Sequence, residues 1–511
     1  MDEFDVVVVG AGPVGLFVAC ELGLAGCSVV VLEREAESGS PWRAAPLGRR
    51  GLFATSIDAF YRRGMLPQLR AAGHTFPGAP GPSAPRIVGH FAGMMIDGSV
   101  IDPAAAPYQL PRPAPGMLMT SLTEIEEILA ARAEHLGVRV HYGAAVTELT
   151  QEDKGVLVRA GDDEYAARWV VGCDGGRSTV RKLAGFEFVG TEPQFTGYTM
   201  RATIPDLDKL GTGMITTTPT GAYIRMSIGQ QVGHVAIMDF DGGAFDRSRE
   251  LTRDYLQSVL RRVSGTDVTI EEVQLASSFT DRAMQTTSYR RGRVLLAGDA
   301  AHIHSPLGGQ GLNTGLGDAG NLGWKLAATV LDDAQDDLLD SYTRERHPIG
   351  ARVLDWSRAQ VEVMRPDAHS RATRSLLRDL LATRDGATYA AQKVSGACIR
   401  YDLGDQHPLV GRDVPDFHLE GGSRLGDLMH EGQAVLLDFS ADRALRAPVA
   451  NWANKIRYSA LPARDNLGLA AVLIRPDGIV AWAVDHDPDR GEFEHAAGRW
   501  FGKPVLPAAA R

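Results

Sequence analysis

The most constraining feature of the chain is a glycine motif close to its N-terminus, Gly10-x-Gly12-x-x-Gly15. The β-branched run Asp5–Val9 leads directly into the motif, and apolar residues at helical spacing follow it. A second apolar run, Val29–Leu32, comes next. A strand, a glycine turn, a helix and a second strand within about 30 residues form the βαβ unit of a Rossmann-type domain. The N-terminal part is therefore predicted to bind a dinucleotide.

Each residue type in this motif suits a dinucleotide. The first glycine permits a tight turn, the second lets the backbone approach a pyrophosphate, and the third lets helix and strand pack closely. Val14 lies in the same turn, where the free N–H groups of the helix start face the phosphates. Glu33 lies eighteen positions beyond Gly15, where a carboxylate can accept hydrogen bonds from a ribose, and Arg34 follows it. A 2′-phosphate would be repelled there, so the site is predicted to bind FAD or NAD rather than NADP.

Two later motifs decide between FAD and NAD. The first, Cys173–Arg181, reads CDGGRSTVR and follows an apolar strand pattern that ends at Gly172. The second, Gly298–Asn313, reads GDAAHIHSPLGGQGLN and follows the apolar run Arg293–Ala297. Reduced flavin carries negative charge on its pyrimidine side, and a helix N-terminus after a glycine-rich loop is a fixed array of hydrogen-bond donors for that charge.

An N-terminal GxGxxG, a central DG and a later GD motif occur in this order, and the chain thereby resembles the class A flavoprotein aromatic hydroxylases, the p-hydroxybenzoate hydroxylase-like family. The resemblance covers nearly the whole chain and is greatest to the actinobacterial branch acting on polyketide antibiotics. It implies non-covalent FAD, reduction by NADPH or NADH, and use of O2 through a flavin C4a-hydroperoxide to hydroxylate an aromatic polyketide-type or phenolic substrate. In such enzymes the cofactor supplies the chemistry, and the protein supplies binding, orientation and electrostatics.

The resemblance also implies which residues hold the adenosine end of FAD. Glu33 would bind the adenosine ribose, and Arg43 would reach the pyrophosphate region. Val146 would meet the adenine through its backbone. Asp174, in the DG motif, would bind the pyrophosphate or NAD(P)H, or it would cap a turn.

The flavin end is implied to lie at the third motif. Asp299 would bind the sugar-phosphate or ribitol portion, and the backbone N–H groups of Leu312 and Asn313 would face the pyrimidine edge. Leu118 stands where the family often has a glutamine that contacts FAD, so the chain departs from the family at that position. The loop residues assigned to the same site are Pro306, Gly309 and Gly311.

Between Phe188 and Ser278 the pattern changes to short strands separated by turn residues, which predicts an antiparallel substrate-binding sheet. Arg225 lies on one of these strands, and we expect its face to look toward the flavin, where it would orient a phenolate or carbonyl oxygen. An outward-facing, solvated arginine is the alternative. Flexible side chains suit a large planar ligand or a core equally, and those considered for both are Met94, Met95, Met214, Tyr223, Met226 and Met238.

The predicted fold is α/β, with a Rossmann-type FAD-binding domain, an antiparallel-sheet substrate domain and a C-terminal thioredoxin-like domain. The FAD-binding domain comprises residues 1–187 and 281–400, the second part with long helices. An insert at about residues 70–115 contributes to the substrate domain, which occupies residues 188–280. Residues 401–511 resemble the thioredoxin-like domain of this branch but lack the CxxC needed for thiol–disulfide exchange, so a structural role is predicted.

Composition and charge argue against several other functions. A formal net charge of -10 disfavours a nucleic-acid partner, and no apolar run reaches the roughly 20 residues needed to span a bilayer. Four cysteines without metal spacing and an acidic N-terminus predict a reduced, cytoplasmic protein. His302 and His304 have no third ligand at suitable spacing, so no metal is expected. The expected partner is a small aromatic molecule, and the expected assembly is a monomer or homodimer.

Two alternatives stay open. The same flavin chemistry could perform Baeyer–Villiger insertion, ring opening or antibiotic inactivation, and the sequence separates neither these outcomes nor NADH from NADPH. The second is a non-catalytic FAD-fold carrier like the prenyl-binding GDI-type proteins. The loop Gly308–Asn313 argues against it, because a carrier would not need donors for the flavin. One further charged run, Tyr342–Pro348, is predicted to be a helix surface whose charges support packing between domains.

Overall fold

The computed structural model describes residues 2–45, 47–73, 87–105, 108–211, 215–227, 232–242, 246, 248–331 and 336–504. Met214, considered above as a ligand contact, lies outside these residues. Among the described helices, none is both long and apolar enough to cross a membrane.

The elements follow the predicted alternation at the N-terminus, change to short strands in the middle and end in a small mixed unit. The N-terminal elements are β1 (Asp2–Val9), α1 (Pro13–Leu24), β2 (Val29–Leu32), β3 (Arg49–Phe53), α2 (Ala54–Tyr61), α3 (Leu66–Ala72), β4 (Ile87–Phe91), β5 (Met94–Asp97), β6 (Met117–Ser121), α4 (Leu122–His135), β7 (Arg139–His141), β8 (Val146–Gln151), β9 (Val156–Ala160), β10 (Asp163–Gly172) and α5 (Thr179–Leu183). The middle elements are β11 (Phe188–Thr191), β12 (Thr196–Thr203), β13 (Thr216–Thr217), β14 (Gly221–Ser227), β15 (Val232–Asp239), α6 (Arg253–Ser264), β16 (Glu272–Thr280), β17 (Ala283–Thr286), β18 (Arg290–Arg291), β19 (Val294–Leu296), β20 (His302–Ile303), α7 (Gln310–Leu331), α8 (Asp336–Met364), α9 (Ala368–Leu381) and α10 (Arg384–Ser395). The C-terminal elements are α11 (Leu425–Leu428), β21 (Ala434–Asp438), α12 (Arg446–Val449), β22 (Ile456–Ser459), β23 (Ala471–Ile474), β24 (Val480–Val484) and α13 (Arg490–Phe501).

The predicted βαβ unit forms the centre of a largely parallel sheet. Its strands follow the order β19–β10–β1–β2–β7, and β1 pairs in parallel with both β10 and β2. Val6, Val7 and Val8 of β1 are fully buried, as expected for a parallel strand covered on both faces. Since parallel strands have their carboxyl ends at one edge, the segments after β1, β10 and β19 become neighbours there.

The second large sheet is antiparallel, in the order β13–β14–β15–β12–β16, and it has two different faces. Tyr223 belongs to the core cluster between this sheet and α6, whereas its neighbours Ala222 and Ile224 pack with Leu307 on the opposite face. Successive side chains of a strand alternate between faces, so Arg225 lies on the α6 side with Tyr223. The Nε of Arg225 donates a hydrogen bond to the carbonyl of Gly211, at 3.2 Å.

The expected orientation of Arg225 is therefore wrong. The face that meets the loop before α7, through Leu307, is the face of Ala222 and Ile224. Of the methionines considered above, Met94 and Met238 are buried in the cluster with Leu307, as expected for core residues, and Met95 and Met226 are exposed.

A buried ionic network joins α7 and α8 to the C-terminal unit. The carboxylate of Glu345 accepts hydrogen bonds from Arg475 at 2.9 and 2.8 Å and from Asn321 at 2.6 Å, and it lies 2.9 Å from Lys325 Nζ. Burial alone raises the pKa of Glu345, but Arg475 and Lys325 hold that pKa well below its usual range. Burial lowers the pKa of Lys325 to about 8 against the opposing effect of Glu345.

The run Tyr342–Pro348 is thus not a helix surface, contrary to expectation. Tyr342, Glu345 and Arg346 are all buried. Arg346 donates to Asp318 at 2.7 Å and to the Tyr401 hydroxyl at 2.8 Å. Glu345 and Arg346 do contact the C-terminal unit, but they do so from the interior, where they bind Arg475 and the Tyr401 hydroxyl, whereas Arg344 is exposed.

Replacing Arg475 by alanine should destabilise the protein strongly. The substitution leaves Asp477 without its cation and Glu345 with only Lys325, and breaking a buried pair costs about 3–5 kcal/mol. Equilibrium urea unfolding measures the change. The matched control is Arg344→Ala, because Arg344 is 62% exposed and lies 3.9 Å from Asp337. Its expected effect is below about 0.5 kcal/mol, and equal effects of the two variants would contradict the assignment.

Candidate active site

The three predicted cofactor segments meet at the carboxyl edge of the parallel sheet. The N–H of Cys173 donates to the Val9 carbonyl at 2.8 Å, and the N–H of Ala297 donates to the Gly172 carbonyl at 3.0 Å. These bonds extend the ladders β1–β10 and β10–β19 by one step beyond the strands. The GxGxxG turn, the DG turn and the GD turn therefore begin side by side.

The glycines of the first turn are required for different reasons. Gly10 has φ +107°, and a Cβ there would lie 2.5 Å from the Cys173 carbonyl oxygen. A Cβ on Gly15 would lie 2.0 Å from the Gly10 carbonyl oxygen. A Cβ on Gly12, by contrast, would meet nothing within 4 Å. Gly12 caps the start of α1, so the helix start opens onto free space where a pyrophosphate fits.

Val14 links the first turn to the third. A Cβ on Gly298 would lie 3.1 Å from Val14 Cγ2, and one on Gly315 would lie 2.6 Å from the same atom. The GD turn and α7 can approach the GxGxxG turn this closely only because both positions are glycine. Val14 thus supports the site by packing.

Glu33 lies buried at the end of β2 and orders the first turn. Its Oε2 accepts a hydrogen bond from the Ala11 N–H at 2.7 Å, and its Oε1 accepts one from the Glu35 N–H at 3.0 Å. Each carboxylate oxygen keeps a further lone pair, which suits a ribose hydroxyl. Arg34 is exposed and forms an ion pair with Glu35 at 3.2 Å.

Arg43 and Val146 lie near Glu33. The N–H of Ala144 donates to the Glu33 carbonyl at 2.8 Å, which brings the segment before Val146 beside the end of β2. Arg43 forms an ion pair with Glu126 at 3.2 Å. Burial raises the pKa of Glu126, and Arg43 opposes that shift. The residues predicted for the adenosine end are therefore brought together, with Arg43 held by a carboxylate of α4.

Asp174 caps α5, which was one of the two roles expected for it. Its Oδ2 accepts hydrogen bonds from the N–H groups of Thr179 at 2.6 Å and Val180 at 3.1 Å. Its Oδ1 is buried and has no hydrogen-bond partner among the described residues. One acceptor therefore stays available at the junction of the motifs.

The loop before α7 places the flavin-side donors. Gly309, with φ +64°, donates its N–H to the Pro306 carbonyl at 3.2 Å and turns the chain into α7. Gly311, Leu312 and Asn313 fall in the first turn of this helix, where N–H groups have no intrahelical acceptor. Asp299 is exposed, and its Oδ1 would lie 4.0 Å from a Cβ on Gly311.

The side chain of Asn313 fastens β3 to the start of α7. Its Nδ2 donates to the Gly51 carbonyl at 2.8 Å, and its Oδ1 accepts from the Phe53 N–H at 2.8 Å. Leu118, on the strand paired with β3, is buried in the core, and a Cβ on Gly73 would lie 2.2 Å from it. The structure therefore gives Leu118 a packing role at the position where the family often has glutamine.

Three polar residues that were not predicted from the sequence lie close to one another, namely Arg50, Thr199 and His234. His234 lies opposite Met226 in the sheet and so shares the face of Ile224, and its Nε2 is 2.8 Å from Thr199 Oγ1. Burial, aided by the positive charge of Arg50, lowers the pKa of His234 to about 4. Burial also lowers the pKa of Arg50, and Asp299 opposes that shift. Arg50 therefore lies in electrostatic range of both the GD motif and the sheet.

The two histidines of the third motif are structural in different ways. His302 Nε2 lies 2.7 Å from Asp318, which also accepts from the Gly298 N–H at 3.1 Å. His304 Nδ1 lies 2.7 Å from the Ser305 carbonyl, which can only accept, so Nδ1 carries the proton. Its Nε2 is buried without a partner in the described part of the chain. That same part contains no group of three potential ligands placed to hold a metal.

Comparisons with known proteins identify the family of the chain. A model of FAD binding domains matches residues 3–357, and a model of the aromatic-ring hydroxylase C-terminal region matches residues 407–504. A monooxygenase of Claviceps purpurea (strain 20.1) is 45% identical over 99% of this chain and 98% of its own. Rifampicin monooxygenase of Streptomyces venezuelae is 38% identical over 98% of this chain and 99% of its own. The solved anhydrotetracycline hydroxylase from Streptomyces rimosus superposes with a TM-score of 0.86 at 34% identity, covering 98% of this chain and 100% of that one.

The fold and the site define a flavin-dependent oxidoreductase. The chain belongs to the FAD-dependent monooxygenases of the aromatic-ring hydroxylase family, which use NAD(P)H and O2. The predicted family, fold class and cofactors are thereby confirmed. The residues present fit FAD, because Gly12 leaves space for a pyrophosphate and Asp174 Oδ1 is an orphaned acceptor at the junction.

Alanine at Gly12 should separate cofactor binding from folding. A Cβ there meets no protein atom, so the free energy of unfolding of the apoprotein should change by less than about 1 kcal/mol. The affinity for FAD should fall about tenfold or more, since the added methyl group enters the pyrophosphate position. Flavin absorbance after gel filtration and FAD titration measure the loss.

The matched comparison is Gly10→Ala. Its Cβ meets backbone and its φ is positive, so this variant should lose apoprotein stability together with FAD binding. Gly12→Ala protein that kept its FAD affinity, or that unfolded like Gly10→Ala, would contradict the site.

Proposed function

We propose that the chain holds FAD along the edge of the parallel sheet, from Glu33 at the adenosine end to Asn313 at the flavin end. Glu33 binds the ribose, and the start of α1 at Gly12 binds the pyrophosphate. The first turn of α7 presents N–H groups to the pyrimidine edge and stabilises negative charge there. When bound, FAD would supply the redox chemistry, namely the oxidation of NAD(P)H and the transfer of oxygen to the substrate. The support is the convergence of the three motifs.

We propose an aromatic polyketide-type or phenolic substrate. It binds between the loop Pro306–Asn313 and the sheet face that carries Ile224 and His234. This face is only half-buried, and the packing of Leu307 against Ile224 brings the loop to it. Two of the relatives are, by name, hydroxylases or monooxygenases of anhydrotetracycline and rifampicin. An electron-rich ring held here would lie over the flavin-side donors.

His234, Thr199 and Arg50 form the polar contacts of this cleft. With its pKa near 4, His234 is neutral at physiological pH and can hydrogen-bond a phenol or carbonyl. Arg50 contributes a positive charge, and a cation close to a phenol favours the phenolate. A phenolate ring is more electron-rich than a phenol ring, so Arg50 promotes attack by the transferred oxygen. Hydroxylation is therefore the outcome we propose over Baeyer–Villiger insertion.

We propose one role for each part of the chain. Residues 1–187 and 281–400 bind FAD, and residues 188–280 provide the substrate face together with the β4–β5 hairpin, whose Phe91 and Met94 pack in the cluster with Leu307. Residues 401–511 have a structural role.

Removing the polar groups of the sheet face should uncouple NAD(P)H oxidation from hydroxylation of the substrate. The holoenzyme should consume NAD(P)H in response to a polycyclic phenol, and mass spectrometry should show one added oxygen. In His234→Leu and Thr199→Val, kcat/KM should fall about tenfold and more hydrogen peroxide should form per NAD(P)H, because the ring is held less accurately.

Arg225→Ala is the comparison on the opposite face of the same strand pair. In this variant, the amount of hydrogen peroxide formed per NAD(P)H should stay close to that of the unmodified enzyme. If Arg225→Ala uncoupled the reaction and His234→Leu did not, the proposed cleft would lie on the wrong face. An enzyme that never responds to any phenol in the panel would refute the substrate class.

Removing the charge of Arg50 should shift the pH dependence of the reaction. In Arg50→Met a bound phenol loses its neighbouring cation, so its pKa should rise by about 1 unit. The ascending limb of kcat/KM against pH should move to higher pH by that amount. FAD content, read from the flavin absorbance, tests whether the cofactor is retained. An unshifted profile in FAD-loaded protein would show that Arg50 does not act on the substrate proton.

A further inference from the structure

A large cavity lies between α2, α7, α8 and α10 on one side and loops of the C-terminal unit on the other. Its volume is about 720 Å3, which is in the range of sites that bind drug-sized molecules. We call it the α7–α8 cavity. Its apolar lining includes Phe53, Ile349, Val353, Trp356, Val394 and Ile479.

This cavity and the proposed cofactor cleft lie on different sides of α7 and meet at the first turn of that helix. Gly315 of α7 packs against Val14 and so faces the cofactor motifs. Gly317 and Asn321, on another side of the same helix, line the cavity. The GxGxxG turn, residues 306–309 and the sheet face that carries His234 do not contribute to the lining, whereas Gln310 and Asn313 in the first turn of α7 do.

Acidic residues line the cavity, but each of them forms an ion pair with an arginine. The carboxylates are therefore neutralised and do not repel an anion. The pairs are Asp58–Arg112, Asp102–Arg384, Asp413–Arg62, Asp416–Arg424 and Asp477–Arg475.

Three further cations of the lining have no carboxylate partner in the described part of the chain. They are Arg352, Lys393 and Arg412. Lys393 Nζ lies 5.3 Å from the ring centre of Tyr389, and Arg412 donates to the Pro408 carbonyl at 3.0 Å. Neither contact removes the charge, so the lining carries a net positive charge.

Two hydrogen-bond donors of the lining also lack partners. Ser56 Oγ and Trp356 Nε1 are buried atoms without a hydrogen bond within the described residues, and Ser56 is only 3% exposed. Buried polar groups are normally satisfied, and the oxygens of an anion could accept from both. The combination of apolar surface, unpaired cations and free hydrogen-bond donors favours an aromatic ligand that carries an anionic group.

We propose that the α7–α8 cavity is a second ligand site, distinct from the substrate cleft, and that it binds a planar aromatic anion such as an aromatic carboxylate. The rings lie against the apolar lining near Val353 and Trp356, and the anionic group faces Arg352 and Lys393. Asn313 also lines the cavity, so the bound ligand touches the residue that fastens β3 to α7. The proposal does not depend on which substrate is oxidised.

The test compares two fluorescent probes on the FAD-loaded full-length protein. The anionic probe is 8-anilinonaphthalene-1-sulfonate, and N-phenyl-1-naphthylamine is its uncharged counterpart with the same rings. In the double variant Arg352→Gln/Lys393→Gln, affinity for the sulfonate should fall about tenfold or more, while affinity for the neutral probe should stay within about threefold. Arg344→Gln, on the same helix but outside the cavity, should bind both probes as the unmodified protein does.

A second variant tests the location by volume. Val353→Trp adds a large side chain where the rings are proposed to lie and should abolish binding of both probes while the flavin absorbance is retained. Unchanged sulfonate binding in the double variant overturns the proposal, and so does an equal loss of both probes in that variant. If Val353→Trp protein lost its FAD, the double variant would decide alone. Sulfonate binding that persisted in FAD-loaded Val353→Trp would place the probe elsewhere and overturn the site.

Discussion

The close approach of the Gly10 backbone to the Cys173 carbonyl is the constraint on which the cofactor site depends. Any Cβ at Gly10 or Gly15 would lie 2.5 Å or less from a carbonyl oxygen. The turns after β1 and β10 can therefore lie this close together only because both positions are glycine. Val14 extends this close packing to Gly298 and Gly315. Three segments far apart in the chain thereby share one edge of one sheet, and the donors of α7 face the same space as the start of α1.

The parts of the fold that follow from local patterns could be predicted from the sequence. The βαβ unit, the order of the three motifs and the hairpin β23–β24 depend on glycine spacing and short apolar runs, which are visible locally. The strands β12 (TGYTMRAT) and β16 (EVQLASSFT) were not predicted individually, because neither contains more than two consecutive apolar residues. The face of Arg225 depends on which side of the sheet α6 covers, and no local pattern contains that information.

The candidate site shows the same division between local and distant information. Glu33 and Asp299 could be predicted as cofactor residues because each occupies a fixed place after a strand. His234, Thr199 and Arg50 come from three different parts of the chain, and only the pairing of β12 with β15 and the position of β3 bring them close together. The charged run around Glu345 was interpreted as surface for a related reason, since its partner Arg475 is 130 positions away. From the sequence alone, a charged residue is predicted to be solvent-exposed unless its distant counter-charge is known.

The ionic network of Glu345, Lys325 and Arg475 has a consequence for the evolution of this architecture. A domain can be gained or lost only if its removal exposes a surface without large apolar side chains or charges that lose their partners. Here, loss of the C-terminal unit would uncover Trp324 and remove Arg475, one of the two cations that are paired with the Glu345 carboxylate. The helix α7, whose first turn is proposed to face the flavin, also carries Asn321, Trp324 and Lys325. A chain that lost the C-terminal unit would therefore need compensating changes in α7 and α8 as well.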